Sequence, residues 1–338
     1  MRWRCSGPLV LLAAACTPPI DPAWVLSRDR ELGMRVEVIK QGPYGYTLDD
    51  KAPSVNEALP LDTVRVTPLV AGPDGVAAVG DMNPHWYLCD DSGSCLLRAD
   101  AAALPECEFE FLVPDEACSV PGAGSLDLKL GDFFATDEPD AIFAINRAPT
   151  VGFVASTDEG PGTQGCLRGI DERTSLEGCL WMERTLSLGS LGEVVDGLTA
   201  LGYDVEISDS LAPLLGVPRN HNPSVRTLTL SIDGGEPTRF EAGATVSIPL
   251  GATIDLEYEP DEVDVDRYTV ELDGAPVEVE DRLEGRWFAS REVASLEQES
   301  LLRTAVLRAT TPEPVTLYFV VRDDRRAEAW GWLHLQPE

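Results

Sequence analysis

Apolar residues at every second position restrict the fold of this chain more than any other feature. Met34-Arg35-Val36-Glu37-Val38, Thr63-Val64-Arg65-Val66, Leu126-Asp127-Leu128-Lys129-Leu130 and Tyr268-Thr269-Val270-Glu271-Leu272 all alternate. Successive side chains of a strand point to opposite faces, so such runs bury one face and wet the other. Asp233-Gly234 and Asp273-Gly274 lie between alternating runs. An Asp-Gly pair accepts the positive φ that a two-residue hairpin turn demands. A last hairpin is predicted from a strand over 315–322, a loop over 323–326 and a strand over 327–335. The expectation is a mainly all-β chain built as two β-sandwich domains.

One segment departs from this period. Leu191, Val194, Val195, Leu198 and Leu201 recur at helical spacing, Ser190 and Glu193 have the form of a capping box, and Gly202 can close the end. A helix over 191–201 is predicted, packed on the first domain as part of a short helical, disulfide-braced appendage. Pro213 and Pro218 mark a linker over 205–222. The domains then run over 25–204 and 223–338.

The N-terminus reads as an address. Arg2 and Arg4 precede Leu9-Val10-Leu11-Leu12, and three alanines lead to Cys16. The apolar run is far short of the ~20 residues needed to span a bilayer, so a secretion signal over 1–15 is expected. Leu-Ala-Ala-Ala-Cys resembles the lipobox of bacterial lipoproteins, which implies a lipidated Cys16; ordinary signal cleavage with Cys16 as a bystander is the alternative. Residues 16–24, with Pro18 and Pro19, would form a stiff tether. The expected location is the cell envelope, at the outer membrane, with the membrane itself as a partner through Cys16.

Apart from Cys5 and Cys16, six cysteines remain, all between residues 89 and 179. In an exported chain an even number reads as disulfides. Spacing favours the neighbours Cys89 with Cys95, Cys107 with Cys118, and Cys166 with Cys179. A zinc site or a redox pair would want Cys-x-x-Cys, which is absent.

The chain carries 26 Lys+Arg against 58 Asp+Glu, a net charge of −32. That excludes nucleic acid as a natural partner, because phosphate binding needs clustered cations. No Gly-x-Ser-x-Gly elbow, His-Glu-x-x-His helix or phosphate-cradling glycine loop occurs, and no cofactor is expected. Of the three histidines, His85 adjoins a strand, His221 lies between Asn220 and Asn222, and His334 falls in the final strand. A histidine placed like His221 is expected to order a domain junction rather than to catalyse. Asp261, Asp264 and Asp266 are the carboxylates that calcium could use, but their spacing does not fit the twelve-residue calcium loop, and a solvated acidic surface accounts for them. Alternation along 327–335 puts Trp330, Trp332 and His334 on one face. They either stack on a sugar or a partner protein, or fill the sandwich core while the smaller residues face a neighbour.

Several segments taken together resemble a family of envelope lipoproteins from myxobacteria and related predatory soil and marine bacteria. They are Pro84-His85-Trp86-Tyr87-Leu88-Cys89, Gly178-Cys179-Leu180, Thr185-Leu186-Ser187-Leu188-Gly189, Asn220-His221-Asn222-Pro223, Trp287-Phe288, and the hairpin from Val320 to Trp330. The resemblance implies immunoglobulin-like domains and brings no activity. Arg326-Ala327 departs from it, where a glycine pair is expected. The chain is therefore expected to act without catalysis, as a binding or structural module for an envelope protein or polysaccharide. A surface adhesin or glycan-binding protein is the alternative, and an envelope hydrolase of unknown substrate the remote one.

Overall fold

The computed structural model of the chain describes residues 22–44, 54–89, 95–97, 99–107, 117–131, 148–200, 202, 204–207, 211–272, 275–293, 295–308 and 310–338. The expected signal segment, Cys16 and most of the tether lie outside them. The described fold is mainly β, with two α-helices. No helix among the described residues is long and apolar enough to cross a membrane.

The first half builds two antiparallel sheets. β1 (Arg30–Lys40) pairs along β2 (Thr63–Gly72), whose other edge takes β3 (Gly75–Val76) and, further along, β6 (Leu126–Lys129). The second sheet has the order β5 (Cys118–Val120), β4 (His85–Cys89), β7 (Thr150–Ser156), β8 (Cys179–Thr185). The alternating apolar residues face each other between the sheets: Val36, Val64 and Val66 from one, Trp86, Phe153 and Ala155 from the other. The rings of Trp86 and Phe153 meet with centroids 5.3 Å apart.

β7 is buried on both faces. Its second face, with Tyr87 of β4, is covered by α1 (Thr163–Glu172), which contributes Cys166, Leu167 and Ile170. A disulfide from Cys166 ties α1 to Cys179 at the start of β8, and Cys107 is bonded to Cys118. Cys89 is also disulfide-bonded. The second helix, α2 (Leu191–Ala200), buries Val194 and Leu198 against Leu59.

In the second half, β9 (Thr227–Ile232), β10 (Thr238–Glu241), β12 (Thr253–Glu257), β16 (Ser295–Glu299) and β17 (Thr304–Arg308) form a sheet of order β10-β9-β12-β17-β16. The facing sheet runs β11 (Thr245–Ile248), β19 (Glu328–Pro337), β18 (Val315–Arg322), β15 (Glu284–Ala289), with β11 parallel to β19. Leu230, Ile254 and Leu307 pack against Trp287, Phe319 and Leu333 between them. β13 (Arg267–Leu272) and β14 (Ala275–Glu280) form a separate hairpin, whose connecting Asp273-Gly274 lies outside the described residues. After β9, Asp233 and Gly234 take φ of 49° and 70° and turn the chain, but the connection to β10 runs on to residue 237, longer than the two-residue hairpin turn expected.

Three sequence expectations change. The end of the tether is structured: Trp24 is half-buried, its carbonyl accepts the Ala289 N–H at 2.9 Å, and Leu26 donates to the Ala289 carbonyl. The edge of β15 needs partners for its backbone groups; this segment serves Ala289, while Gln298 and Ser300 accept the Trp287 and Gly285 N–H groups. The end of the 205–222 stretch is packed, with Arg219, Asn220 and Asn222 buried. The capping box at α2 is half made. Ser190 Oγ accepts the Glu193 N–H at 3.3 Å, but the Glu193 carboxylate turns to the Arg219 guanidinium, 3.2 Å away. A buried cation attracts a carboxylate more strongly than one neutral backbone donor does.

Candidate functional site

Alternation along β15, β18 and β19 creates an outer face with side chains in ordered rungs. Glu284, Arg322 and Glu328 form one rung; Arg286, Val320 and Trp330 the next; Phe288, Tyr318 and Trp332 the third. His334 follows, its Nδ1 at 3.0 Å from Thr316 Oγ1. Trp330 and Trp332 therefore leave the sandwich core to Ala329, Leu333 and Leu335. This reverses the expectation that the tryptophans would fill that core. Trp287, Phe319 and Tyr258 already occupy the core, with ring centroids 4.6 and 4.9 Å apart, so β19 supplies smaller residues beside them. The aromatic face is instead covered by the first half: Leu26, Leu32, Leu69 and Ala71 bury Tyr318 and Val320 and pack against both tryptophans.

Glu328, 2% exposed, pins this cover in place. Its Oε2 accepts the Met34 N–H at 3.0 Å and Arg184 at 2.8 Å, and its Oε1 accepts Arg322 Nε at 2.9 Å. A Cβ on Gly33 would stand 2.3 Å from Oε1, so glycine is what lets β1 approach the carboxylate this closely. Burial pulls the Arg184 guanidinium down, and Glu328 opposes that shift.

A second set of buried charges lies around the last hairpin. Arg325 Nη2 donates to Asp266 and to Asp281, both at 2.7 Å, and its Nη1 donates to the Pro218 carbonyl at 2.8 Å. Glu57 is 3.8 Å from Arg325, and Arg219 pairs with Asp62 at 2.7 Å. His221 Nδ1 lies 3.0 Å from Asp266 Oδ1. Carboxylates outnumber guanidiniums here. Burial pushes Glu57 up to about 7, against the pull of Arg325, and pushes Asp323 up to about 6. Arg326 takes φ 75°, which places a non-glycine residue in the left-handed region at the point where the family resemblance expects glycine.

The calcium candidates point at protein donors. Asp264 accepts from Ser224 N and Oγ, both at 3.0 Å, and from the Asp261 N–H, while Asp266 serves His221 and Arg325. Among the described residues no group of three or more His, Cys, Asp or Glu is placed to hold a metal ion.

Where the cover over the aromatic face ends, beside β15, a cleft of about 500 Å³ remains. Trp24, Arg30 and Glu31 form one wall, and Arg286, Phe288 and Gln298 belong to the other, with Ser300 and Arg322 completing it. Arg322 is held by Glu328 and by the Leu32 carbonyl at 2.9 Å. Arg30 donates to the Ala23 carbonyl at 2.9 Å and forms no ion pair within 4 Å, and the Arg286 side chain has neither a hydrogen bond nor an ion pair among the described residues. Burial raises the Glu31 carboxyl, opposed by the backbone N–H groups of Glu31 itself and of Trp181 and by the charges of Arg30 and Arg28. A neighbouring cleft of about 510 Å³ shares Arg30 and Glu31 but is acidic, with Asp29, Asp74, Asp158 and Glu177. Sequence reasoning did not find Trp24, Arg286 or Glu328. The available signal was a charged residue on the aromatic-bearing parity of an alternating strand, which is where Glu328 stands relative to Trp330.

No family model and no curated protein matches the chain. A solved structure similar to part of it is a nucleoside hydrolase-related hypothetical protein from Saccharophagus degradans, described as associated with carbohydrate metabolism. The two share 15% identity at a TM-score of 0.24, over 53% of this chain and 40% of that one. At that score the likeness carries no argument about fold or function.

Proposed function

We propose that this chain is an exported envelope lipoprotein, anchored through Cys16, whose two immunoglobulin-like β-sandwich domains form a non-catalytic binding module. The cleft carries this reading. It has an open mouth, aromatic walls and, in Arg286, a cation whose side chain has no ion pair, which is how a site built for a ligand differs from a packed seam. Facing sheets with alternating cores, antiparallel except where β11 runs parallel to β19, support the immunoglobulin-like assignment of each half. Trp24, on the cleft wall, is eight residues beyond Cys16. An extended chain of that length reaches about 26–29 Å, so a lipid on Cys16 would keep the cleft close to the bilayer surface. Two or three acyl chains would hold it there firmly.

The test is labelling of cells with a palmitate analogue, fractionation, and in-cell cross-linking from a photoreactive residue at Gln298. The native chain should incorporate the label, sediment with outer membranes and capture an envelope component. Cys16→Ser should lose label, sedimentation and capture together. An unlabelled native chain released to the soluble fraction would refute the anchor. Capture of nothing from Gln298 would refute the binding reading.

A further inference from the structure

The cleft and its acidic neighbour are almost equal in size and share a wall, yet their charge is opposite. The acidic cleft would repel an anion. In the other, three arginines face two glutamates, a surplus of one positive charge in a chain whose net charge is −32. Arg322 is committed to Glu328 and a backbone carbonyl, and Arg30 is bonded to the Ala23 carbonyl and lies in the field of Glu31, so the free valence rests first on Arg286. Arg286 is thus the guanidinium whose side chain has no carboxylate partner, in a protein with more than twice as many acids as bases. A planar guanidinium takes a carboxylate through two parallel hydrogen bonds. A surplus of one charge suits one monoanionic carboxylate better than a phosphate dianion. The lining also has the rings of Trp24 and Phe288 and the hydroxyl of Ser300, while the Gln298 amide is bonded to the Trp287 backbone. Aromatic planes beside a hydroxyl and a guanidinium match a ring that is apolar on its face and hydroxylated on its rim, which is a pyranose.

From these features we infer that the cleft binds a carboxylated saccharide of the uronate type, with Arg286 and Arg30 on the carboxylate and Trp24 and Phe288 on the sugar face. This rests on the binding reading above and gives it a ligand class. It also moves the glycan contact away from Trp330 and Trp332, which the first half covers.

Isothermal titration of the purified full chain with trigalacturonate tests it, with the trimethyl ester and tricarballylate as controls. The ester keeps the sugar and removes the charge; tricarballylate keeps carboxylates and removes the sugar. Trigalacturonate should bind, and each control should bind at least tenfold more weakly. Arg286→Ala, at an exposed position that leaves the core intact, should weaken trigalacturonate by roughly tenfold to a hundredfold, the usual worth of hydrogen bonds to a charged group. Arg286→Lys should fall between. Equal binding of the ester removes the carboxylate from the proposal, and equal binding of tricarballylate removes the sugar. Failure of trigalacturonate to bind, or an Arg286→Ala variant that binds normally, overturns the site. If an envelope component is still captured from Gln298 in either of the last two cases, the binding reading stands and only the ligand class falls.

Discussion

Replacing Glu328 by glutamine keeps the shape of the side chain and removes its charge. In the native fold that carboxylate is 2% exposed and receives four groups' worth of structure: the Met34 N–H, Arg184, Arg322, and the close approach of Gly33. A glutamine offers one oxygen, and its NH₂ would face another donor. Arg184, only 11% exposed, would lose its principal counter-ion. Breaking a buried pair by removing one partner costs about 3–5 kcal/mol, because an uncompensated charge remains buried. If the described halves unfold together, that corresponds to a drop of roughly 5–8 °C in Tm for a chain of this size. Equilibrium urea denaturation followed by tryptophan fluorescence measures it directly. The double variant Arg184→Met, Glu328→Leu removes both charges and should be less destabilised than the sum of its single variants by about 2 kcal/mol or more. A loss below about 1 kcal/mol for Glu328→Gln, or strict additivity in the cycle, would refute the view that this ion cluster holds β1 against the aromatic face.

Other perturbations give equally definite expectations. Glu57 ionises near 4.5 when unfolded and about 7 when folded, so the folded state binds the extra proton between those values and stability rises as pH falls through that window. Glu57 alone should make the fold roughly 2–3 kcal/mol more stable at pH 5 than at pH 8, read from urea midpoints at the two pH values. Arg325→Ala leaves Asp266, Asp281 and Glu57 without their shared cation, so its destabilisation should be larger at pH 8 than at pH 5; the reverse order would contradict the charge balance. Cys166→Ser with Cys179→Ser opens a loop of 13 residues and should cost about 3 kcal/mol, with hydrogen exchange rising first in α1. Gly33→Ala would push a methyl against the Glu328 carboxylate and should cost about 1–3 kcal/mol by thermal melting.

The parts that could be read from the sequence are those decided by neighbours along the chain. Val36, Val64 and Leu128 alternate with polar residues and do face one core. Asp233-Gly234 turns because two adjacent residues can take positive φ. α1 shows the opposite case. Its segment Thr163–Glu172 holds two glycines and few apolar residues, so local propensity gives little signal for a helix. What makes it helical is tertiary: Cys166, Leu167 and Ile170 find Tyr87 and Val154, and the disulfide to Cys179 holds them there. The inversion at β19 has the same origin. Period two shows that Trp330 and Trp332 share a face, but which face is the core depends on Trp287 and Phe319, residues on other strands. Glu328 and Met34 meet across 294 positions of sequence, and no local pattern marks that encounter.

The seam and the cleft have one physical origin. An aromatic outer face on β15, β18 and β19 must be covered, and β1 and β2 cover it only as far as their own apolar residues reach. Leu32 and Leu69 end that apolar reach, and the next rung is charged: Glu284, Arg322 and Glu328. At that rung one carboxylate is buried and paired with two arginines, which fixes the register of the two halves at a desolvation cost that apolar residues would avoid. The segment carrying Trp24 then pairs with the edge of β15 rather than with the aromatic face, so a gap stays open between them. Arg322 sits at the boundary, holding Glu328 with Nε and lining the cleft as well. Loss of Glu328 would thus release a third guanidinium beside Arg30 and Arg286. An anionic ligand should then bind Glu328→Gln more tightly even as the fold becomes less stable. A seam that served stability alone would show no such opposition.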